Sequence, residues 1–281
     1  MSLTVMIITY NNPELLNRCL KTLTAYTSGY TQLLVVNNNP DRKEDVEANL
    51  QDIPHPVDLV HMNEHGRAAQ AINAGLMLSS ADCFCAVSDD VCFVPGNPFW
   101  PSLLELTLRE DVGMVGPSVD RGSVGHSINA EGEMVLPAQL FSTITAPVLQ
   151  ATYLMGMLLF ARTDTWSEIG GCDDNLTGNE EADLCLAIMA AGYKCVIDKR
   201  IYLYHDERST TKKEAPEFYA DRSKKAQEYI IEKWGAETYF NPTDLPGFPT
   251  LPDGSKYPIK FIGVSERIGR HIVCELSLIH I

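Results

Sequence analysis

Four short apolar segments alternate with helical patterns in the first 90 residues, and this alternation constrains the fold more than any other feature of the sequence. The segments begin about 25 residues apart, and each ends in a polar loop. Strands that alternate with helices form βαβ units, which build a parallel sheet with right-handed crossovers. The sequence therefore predicts an α/β fold with strands over residues 3–9, 33–36, 57–62 and 83–87.

The four polar loops are predicted to meet in one crevice, because ligands bind at the carboxyl ends of parallel strands. These loops cover residues 9–12, 37–41, 63–67 and 88–90. The first of them, TYNNPE, contains no glycine. Its composition excludes a dinucleotide fingerprint or a phosphate-binding P-loop at that turn.

In the remainder of the chain, strands and helices no longer alternate at regular intervals. Residues 120–150 contain glycine and serine and are expected to face an acceptor. A proline-rich tail with little regular structure is expected at the end of the chain. A helix is predicted after the first strand, where Asn12 suits the N-cap and Pro13 the first turn, and Ser28-Gly29 ends it. Further helices are predicted from the end of the 37–41 loop to about 50 and over 68–78, 99–109, 163–169, 180–191 and 216–234, and later strands over 112–119, 153–161, 194–197 and 201–204.

The predicted elements divide the chain into a main domain over residues 1–213, with halves over 1–110 and 111–213, and a C-terminal helix with an irregular tail over 214–281. The last six residues, LSLIHI, are either a sequencing scar or an ordinary tail.

Composition limits the partners of the chain. A formal charge of −15 and a pI near 4.8 repel phosphate backbones, so nucleic acid is not an expected partner. No integral membrane segment or signal peptide is apparent, and a cytoplasmic location is expected. The eight cysteines form no CxxC pair, and we interpret most of them as buried free thiols.

Two acidic clusters are the candidate chemical groups. Asp89 and Asp90 end an apolar strand, where carboxylates must be solvated, paired or metal-bound. Magnesium and manganese suit such ligands, although aspartate is also common in ordinary turns. The second cluster, Glu180, Glu181 and Asp183, begins a helix and complements its dipole. Any general base must lie beside the acceptor hydroxyl, and Glu181 is the main candidate with the other two in reserve.

Five blocks of the sequence resemble, in the same order, the inverting glycosyltransferases of family two, over most of residues 3–234. The first three are VMIITYNNPELLNRCLKTL, LLVVNNNPD and NEHGRAAQAINAGL. The last two are CAVSDDVCF and LLFARTDTWSEIGGCDDNLTGNEEADLCLAIMAAGYK followed by YLYH. This resemblance implies the GT-A fold, in which helices flank a Rossmann-like, mostly parallel sheet. It also implies that residues 1–213 are a catalytic domain, with a nucleotide-binding half over 1–110 and an acceptor and catalytic half over 111–213.

The resemblance also implies site residues. Asp90 matches the metal-ligating aspartate, His205 is a further ligand for manganese or magnesium, and Glu181 stands where the family places its catalytic aspartate. Asn37 occupies the position of a base-reading aspartate, and its amide can accept a hydrogen bond from uracil. The other implied donor contacts are Thr9, Tyr10, Asn12, Arg67 and Asp89, with Arg208, Lys212 and Lys213 in a cationic loop.

The expected activity is metal-dependent transfer of a sugar from a nucleotide diphosphate donor, with UDP favoured, to an acceptor hydroxyl with inversion. The acceptor is a carbohydrate, a lipid-linked molecule or a protein. The alternatives are a catalytically silent nucleotide- or sugar-binding module and a nucleotidyltransferase. The metal hypothesis requires Asp90 and His205 to lie within about 10 Å of each other.

Overall fold

Residues 1–119, 147–206, 216–240 and 242–249 are described by a computed structural model of the chain. The strands are β1 (Leu3–Thr9), β2 (Gln32–Asn37), β3 (Asp58–His61), β4 (Cys83–Ser88), β5 (Val91–Phe93), β6 (Val112–Val119), β7 (Val148–Ala151), β8 (Leu158–Arg162) and β9 (Lys194–His205). The α-helices are α1 (Pro13–Tyr26), α2 (Lys43–Leu50), α3 (Ala68–Leu78), α4 (Phe99–Thr107), α5 (Thr163–Glu168), α6 (Glu180–Ala190), α7 (Pro216–Trp234) and α8 (Ala236–Phe240). Short 3₁₀ turns cover Pro40–Arg42 and Pro242–Asp244.

In the described ranges the strands form one nine-stranded sheet in the order β3-β2-β1-β4-β8-β6-β9-β5, and β7 also pairs with β9. Strands β1 to β4 run parallel to one another. Strand β8 is antiparallel to β4 and β6, and β9 is parallel to β6. Six strands, β1 to β4, β6 and β9, therefore run in one direction, and the predicted mostly parallel α/β fold is confirmed.

Helices cover both faces of the sheet, because successive side chains of each strand alternate between two apolar layers. Leu3, Val5 and Ile7 of β1 pack into one cluster with residues of α1, α2 and α4. Met6 faces the opposite cluster, which contains residues of α3, α5 and α6. With both faces buried, β1 needs a nearly continuous apolar sequence.

The first strand-to-helix turn forms as predicted. Asn12 is the N-cap of α1, where its side-chain oxygen accepts a hydrogen bond from the backbone N–H of Leu15 at 3.4 Å. Pro13 occupies the first helical turn, where its missing N–H has no cost. The turn therefore leaves the carboxyl end of β1 on the same side as the other polar loops.

Four strands differ from the sequence prediction. The sequence prediction lacked β5 and β7. The predicted strand over 153–161 is β8, which begins only at Leu158. The two strands predicted over 194–204 form one strand, β9, whose register with β6 shifts between Pro117 and Ser118. That shift leaves residues 199–201 of β9 without partners on β6, which explains the predicted break.

The tail is more ordered than predicted. Helix α8 and the Pro242–Asp244 turn follow α7, and a third apolar cluster joins this region to α6. The members of that cluster are Leu176, Leu186, Met189, Ile230, Tyr239 and Phe248. Residues 120–146 and 250–281, which include the last six residues, lie outside the described residues.

Gly247 anchors the tail by close backbone approach. Its N–H donates to the carbonyl of Met189 at 2.8 Å, and its carbonyl accepts from Gln150 at 3.2 Å. A Cβ at this position would lie 1.9 Å from the carbonyl oxygen of Tyr193. Only glycine fits this contact, since real Cβ atoms do not approach so closely.

Two compositional predictions can be compared with the described residues. The thiols of six cysteines are buried and free, namely Cys19, Cys83, Cys85, Cys172, Cys185 and Cys195, and Cys92 is half-buried. Cys274 lies outside the described residues. None of the helices in the described ranges has the length and apolar character needed to cross a membrane.

Candidate active site

The predicted polar loops meet at the carboxyl ends of β1, β2 and β4. The backbone N–H of Asp89 donates to the carbonyl of Ile8 at 3.2 Å, which joins the end of β4 to the end of β1. The N–H of Asn38 donates to the carbonyl of Thr9 at 2.9 Å and joins the end of β2 to the same place. Backbone hydrogen bonds therefore hold three separate loops together before any side chain contributes.

Asp89 is buried and bonded to the first loop. The Thr9 hydroxyl donates to its carboxylate at 2.6 Å, and the N–H of Tyr10 donates to it as well. Burial, helped by the charge of Asp90, raises the pKa of Asp89 to about 7, although these donors oppose the shift. Asp89 therefore fixes the end of β4 to the end of β1.

Asp90 lies beside His205, as the metal hypothesis requires. The Nε2 atom of His205 is 3.4 Å from Oδ1 of Asp90, and each side chain is 10% exposed. Strand β5 causes this approach, because it follows Asp90 directly and its first residue, Val91, pairs with His205. The N–H of Asp206 also donates to the carbonyl of Asp90 at 2.8 Å.

The electrostatics of Asp90 favour its charged form. Burial would raise the pKa of this carboxyl, but hydrogen bonding and charge from His205 outweigh burial, so the pKa is lowered. Hydrogen bonds from Ser88 and from the Asp90 backbone act in the same direction. A charged carboxylate beside an imidazole is suited to a divalent cation.

The Asp90 and His205 pair fits one shared ion in distance. Two ligand atoms, each a little over 2 Å from a metal and at right angles, lie about 3 Å apart, close to the observed separation of 3.4 Å. In the described part of the chain, no group of three or more histidine, cysteine, aspartate or glutamate side chains is placed to hold a metal. The remaining ligands of such an ion would have to be water or donor oxygens.

Tyr10 and Asn12 are the predicted nucleoside contacts that retain exposed surface. Both are half-buried. The ring of Tyr10 meets the ring of His65 edge-on, with centroids 6.1 Å apart. His65 is exposed and lies 3.1 Å from the carboxylate of Asp41. Together they line an open edge of the crevice beside the first and third loops.

Asn37, the predicted base-reading residue, is fully buried at the end of β2. Its Oδ1 accepts from the N–H of Asn39 at 3.1 Å, and its Nδ2 lies 3.0 Å from Nδ1 of His61. The other ring nitrogen of His61 is 3.3 Å from the carboxylate of Glu47. Asn37 therefore uses its amide to shape the turn 37–41 and has no exposed surface in this structure.

Arg67 joins the third loop to the segment before α6. This exposed residue is the N-cap of α3, and its guanidinium donates to the carbonyl of Asp174 at 2.8 Å. Asn73 of α3 donates to the carbonyl of Cys172 and to the carboxylate of Asp174, both at 2.8 Å. The predicted cationic residues Arg208, Lys212 and Lys213 lie outside the described residues.

The second acidic cluster separates into three environments at the start of α6. Glu181 is half-buried, and its Oε1 accepts a hydrogen bond from the hydroxyl of Tyr153 at 2.5 Å. Asp183 is buried and accepts from Lys233 at 2.9 Å and from the indole N–H of Trp234 at 2.7 Å. Its carboxylate oxygens are therefore occupied by α7.

Glu180 is turned towards α3. Its carboxylate accepts from the N–H of Ala69 in the first turn of α3 and from its own N–H. Burial, together with the charge of Glu181, raises its pKa to about 7, and Arg222 partly opposes that shift. Glu181 therefore differs from both other acidic residues. Asp183 is buried and bonded to α7, and Glu180 is bonded to the first turn of α3.

The loop before β8 connects Glu181 to the aspartates. Met157 in this loop accepts a hydrogen bond from the N–H of Ser88 at 2.9 Å. Gly156 is its neighbour, and a Cβ on Gly156 would lie 3.3 Å from Oε2 of Glu181. One short loop therefore touches both Glu181 and the residue that precedes Asp89, and both acidic clusters border the same crevice.

Sequence reasoning missed Tyr153, Gly156 and β5. The segment 153–157 is apolar enough to be assigned to a strand, which concealed its role as a loop. Strand β5 has a visible signal in Val91, Cys92 and Phe93, since valine and phenylalanine favour strands. Three residues are too few for a period-two pattern to stand out.

A comparison with protein families identifies the model described as "Glycosyl transferase family 2", which matches residues 4–155. Among curated proteins, the pre-mycofactocin glycosyltransferase of Mycobacterium tuberculosis is 26% identical over 154 residues. That match covers 54% of this chain and 32% of the relative, so the chain spans about a third of the relative's length.

Two solved structures have a similar fold. One is the mannosyltransferase PcManGT from Pyrobaculum calidifontis in complex with GDP-Man and Mn²⁺, with a TM-score of 0.61 and 16% identity over 85% of this chain and 67% of that one. The other is GalNAc-T7 with UDP, GalNAc and Mn²⁺, with a TM-score of 0.60 and 13% identity over 89% of this chain and 59% of that one.

Proposed function

Because the chain belongs to glycosyl transferase family 2, we propose that it transfers a sugar from a nucleotide diphosphate donor to an acceptor hydroxyl with inversion, in a reaction that needs a divalent metal. The carrying observation is the 3.4 Å approach of His205 to Asp90 at the carboxyl ends of the strands. Family membership favours this function over that of a nucleotidyltransferase.

The donor would lie along the crevice between the first and third loops. Tyr10 and Asn12 have exposed surface for direct contact, and Arg67 adds a positive charge. Thr9, Asn37 and Asp89 would act from buried positions by holding the turns that line the site. We favour UDP as the nucleotide, and the similar structures contain UDP in one case and GDP-mannose in the other.

Asp90 and His205 would hold manganese or magnesium. When bound, such an ion neutralises the charge that develops on the departing diphosphate. The presence of Mn²⁺ in both similar structures supports manganese as the first ion to test. Without the ion, a nucleotide diphosphate should bind poorly, because the charged carboxylate of Asp90 repels the negatively charged phosphate oxygens.

Glu181 would take the proton from the acceptor hydroxyl. General bases must be positioned near the attacking oxygen and must have a carboxylate oxygen available. Glu181 borders the crevice and is only half-buried, whereas Asp183 is occupied by Lys233 and Trp234. The acceptor is a carbohydrate, a lipid-linked molecule or a protein, and it would approach from the side of Glu181.

The test is release of nucleotide diphosphate from UDP-glucose, UDP-N-acetylglucosamine, UDP-N-acetylgalactosamine and GDP-mannose by the full chain with Mn²⁺. We expect release from at least one donor, and loss of release and of donor-dependent thermal stabilisation in Asp90→Asn. The matched control is Asp58→Asn, which changes an exposed aspartate at the start of β3, at the other edge of the sheet.

Two outcomes would contradict the proposal. Donor binding by the wild-type chain without any release would favour the catalytically silent binding module. Unchanged Mn²⁺-dependent donor binding in Asp90→Asn would remove Asp90 from the metal site. Equal losses of diphosphate release and of donor-dependent stabilisation in Asp90→Asn and Asp58→Asn would show a general effect of replacing an aspartate.

A further inference from the structure

The hydrogen bond between Tyr153 and Glu181 gives the two oxygens of this carboxylate different surroundings. Oε1 accepts the Tyr153 hydroxyl at 2.5 Å. Oε2 faces Gly156, where an added Cβ would lie 3.3 Å away. Gly156 itself is exposed, and Glu181 is half-buried.

The loop that contains Tyr153 and Gly156 is fixed at both ends. The N–H of Leu154 lies 3.2 Å from the sulfur of Cys185, one turn beyond Glu181 on α6. Met157 is bonded to the N–H of Ser88 at 2.9 Å. Leu154 and Met157 are both buried, so Tyr153 is presented to Glu181 by a loop that packing holds in place.

From these contacts we propose that Tyr153 is a positioning residue for Glu181, and that the acceptor hydroxyl approaches over Gly156 to give its proton to Oε2. The inference rests on the proposed function, in which Glu181 is the base. In the step, the acceptor O–H bond breaks as its proton passes to Oε2, the acceptor oxygen bonds to the anomeric carbon, and the bond to the diphosphate breaks.

Tyr153 acts through its hydroxyl, which limits rotation of the Glu181 carboxylate. A positioned base is more effective than a mobile one. A residue that only stabilised the fold would not fix the orientation of this carboxylate.

The first variant is Tyr153→Phe, which removes only the hydroxyl. We expect the rate of diphosphate release from the active donor to fall about ten- to hundred-fold, the usual range for loss of a hydrogen bond to a charged group. Donor KM should stay within about twofold. This split between rate and KM identifies a positioning role, because a structural defect would weaken donor binding as well.

The matched control is Tyr193→Phe. The hydroxyl of Tyr193 also donates to a glutamate, Glu168, at 2.7 Å. Tyr193 directly precedes β9 and therefore lies at the opposite end of that strand from His205. This variant should leave the rate and the donor KM unchanged.

Two further variants separate positioning from a structural effect. In the double variant Tyr153→Phe with Glu181→Gln, release should be no slower than in Glu181→Gln alone, because Tyr153 acts through Glu181. Gly156→Ala should lower the rate while the protein stays folded, since the new methyl group occupies the space beside Oε2.

A measurement that does not need turnover completes the test. Donor-dependent thermal stabilisation with Mn²⁺ should be the same in the wild type, Tyr153→Phe and Tyr193→Phe, because neither hydroxyl is placed in contact with the donor. An unchanged rate in Tyr153→Phe, or a loss of donor binding as large as the loss of rate, would overturn this inference alone. Full activity in Glu181→Gln would instead overturn the base assignment in the proposed function.

Discussion

The two adjacent acidic pairs of the crevice, Asp89–Asp90 and Glu180–Glu181, divide their work in the same way. In each pair the first carboxyl is bonded to backbone N–H groups of another segment, and burial raises its pKa to about 7. The second contacts a polar side chain, His205 in one case and Tyr153 in the other. Neighbouring carboxylates of one sequence motif can therefore serve structure and chemistry separately.

The division has a physical cause. Two adjacent charges repel each other, and each pair relieves this repulsion when its first member, Asp89 or Glu180, retains a proton. That member accepts a hydrogen bond from a backbone N–H group of another segment, Tyr10 or Ala69. In the first pair, the pKa of Asp90 is lowered, because hydrogen bonds and the charge of His205 outweigh the effect of burial.

The largest expected effect comes from substituting the two members of the second pair one at a time. Glu181→Gln should lower turnover about 10²- to 10⁴-fold, because a positioned base is removed. Glu180→Gln should keep turnover within about tenfold, since an amide oxygen can still accept from Ala69. Steady-state kinetics on one active donor will compare the two variants. Equal losses of turnover would show that Glu180 and Glu181 do not have different roles.

Asp183 is the third carboxylate of the same cluster, and both of its oxygens accept hydrogen bonds from residues of α7. Asp183→Ala leaves the indole N–H of Trp234 without its partner and Lys233 with Asp173 only. We expect a loss of about 3 kcal/mol in the free energy of unfolding, or roughly 6–12 °C in Tm. Thermal unfolding with and without donor will test this, and donor binding below the transition should persist.

The pKa of Glu180 predicts a pH-dependent stability. The folded chain holds this proton up to about pH 7, against an ordinary value of 4.5. Between those values the folded state binds more protons than the unfolded state, so stability should fall as pH rises. The charges of Glu181 and Arg222 act on Glu180 in opposite directions, and the buried thiol of Cys172 is nearby.

Glu180→Gln should remove that dependence. Relative to the wild type, the variant should gain about 2 kcal/mol in unfolding free energy between pH 4.5 and pH 8, after allowance for partial exposure. Denaturant unfolding at several pH values measures this difference. A parallel pH dependence in the two proteins would show that Glu180 ionises normally.

The smallest expected effect concerns the first pair. Thr9→Val removes the hydroxyl that donates to Asp89 and should cost about 1 kcal/mol in unfolding free energy. Thr24→Val is a suitable control, because the Thr24 hydroxyl bonds only to carbonyls of its own helix. Chemical denaturation of both variants will show whether the buried member of this pair depends on its donor.

The sequence predicted one member of each pair better than the other. Asp90, His205 and Glu181 were predicted as site residues because their order along the chain resembles that of a known family. The structure brings Asp90 and His205 together. The structural roles of Glu180 and Asp183 were not predicted, since their partners Ala69, Lys233 and Trp234 are distant in sequence. No local pattern carries such contacts.

The fold was predicted most accurately where apolar segments alternate with helices. Strands β1, β2 and β4 and helices α1 and α3 appear within a few residues of their predicted bounds. The tail was judged irregular because of its prolines, yet Gly247 and Phe248 pack against α6 and its flanking residues. Propensity describes a segment alone, whereas tertiary packing determined the structure of this one.

The proposed metal site depends on the register in which β5 pairs with β9, because Val91, the residue after Asp90, pairs with His205. Successive side chains of β9 point to opposite faces, and Tyr204 is exposed while His205 turns inward beside Asp90. Displacing the end of β9 by a single residue would exchange these two positions and present a phenol in place of the imidazole. Residues 199–201, which have no register partner on β6, lie just upstream, so insertions or deletions there would abolish ion binding at the proposed site without altering either ligand.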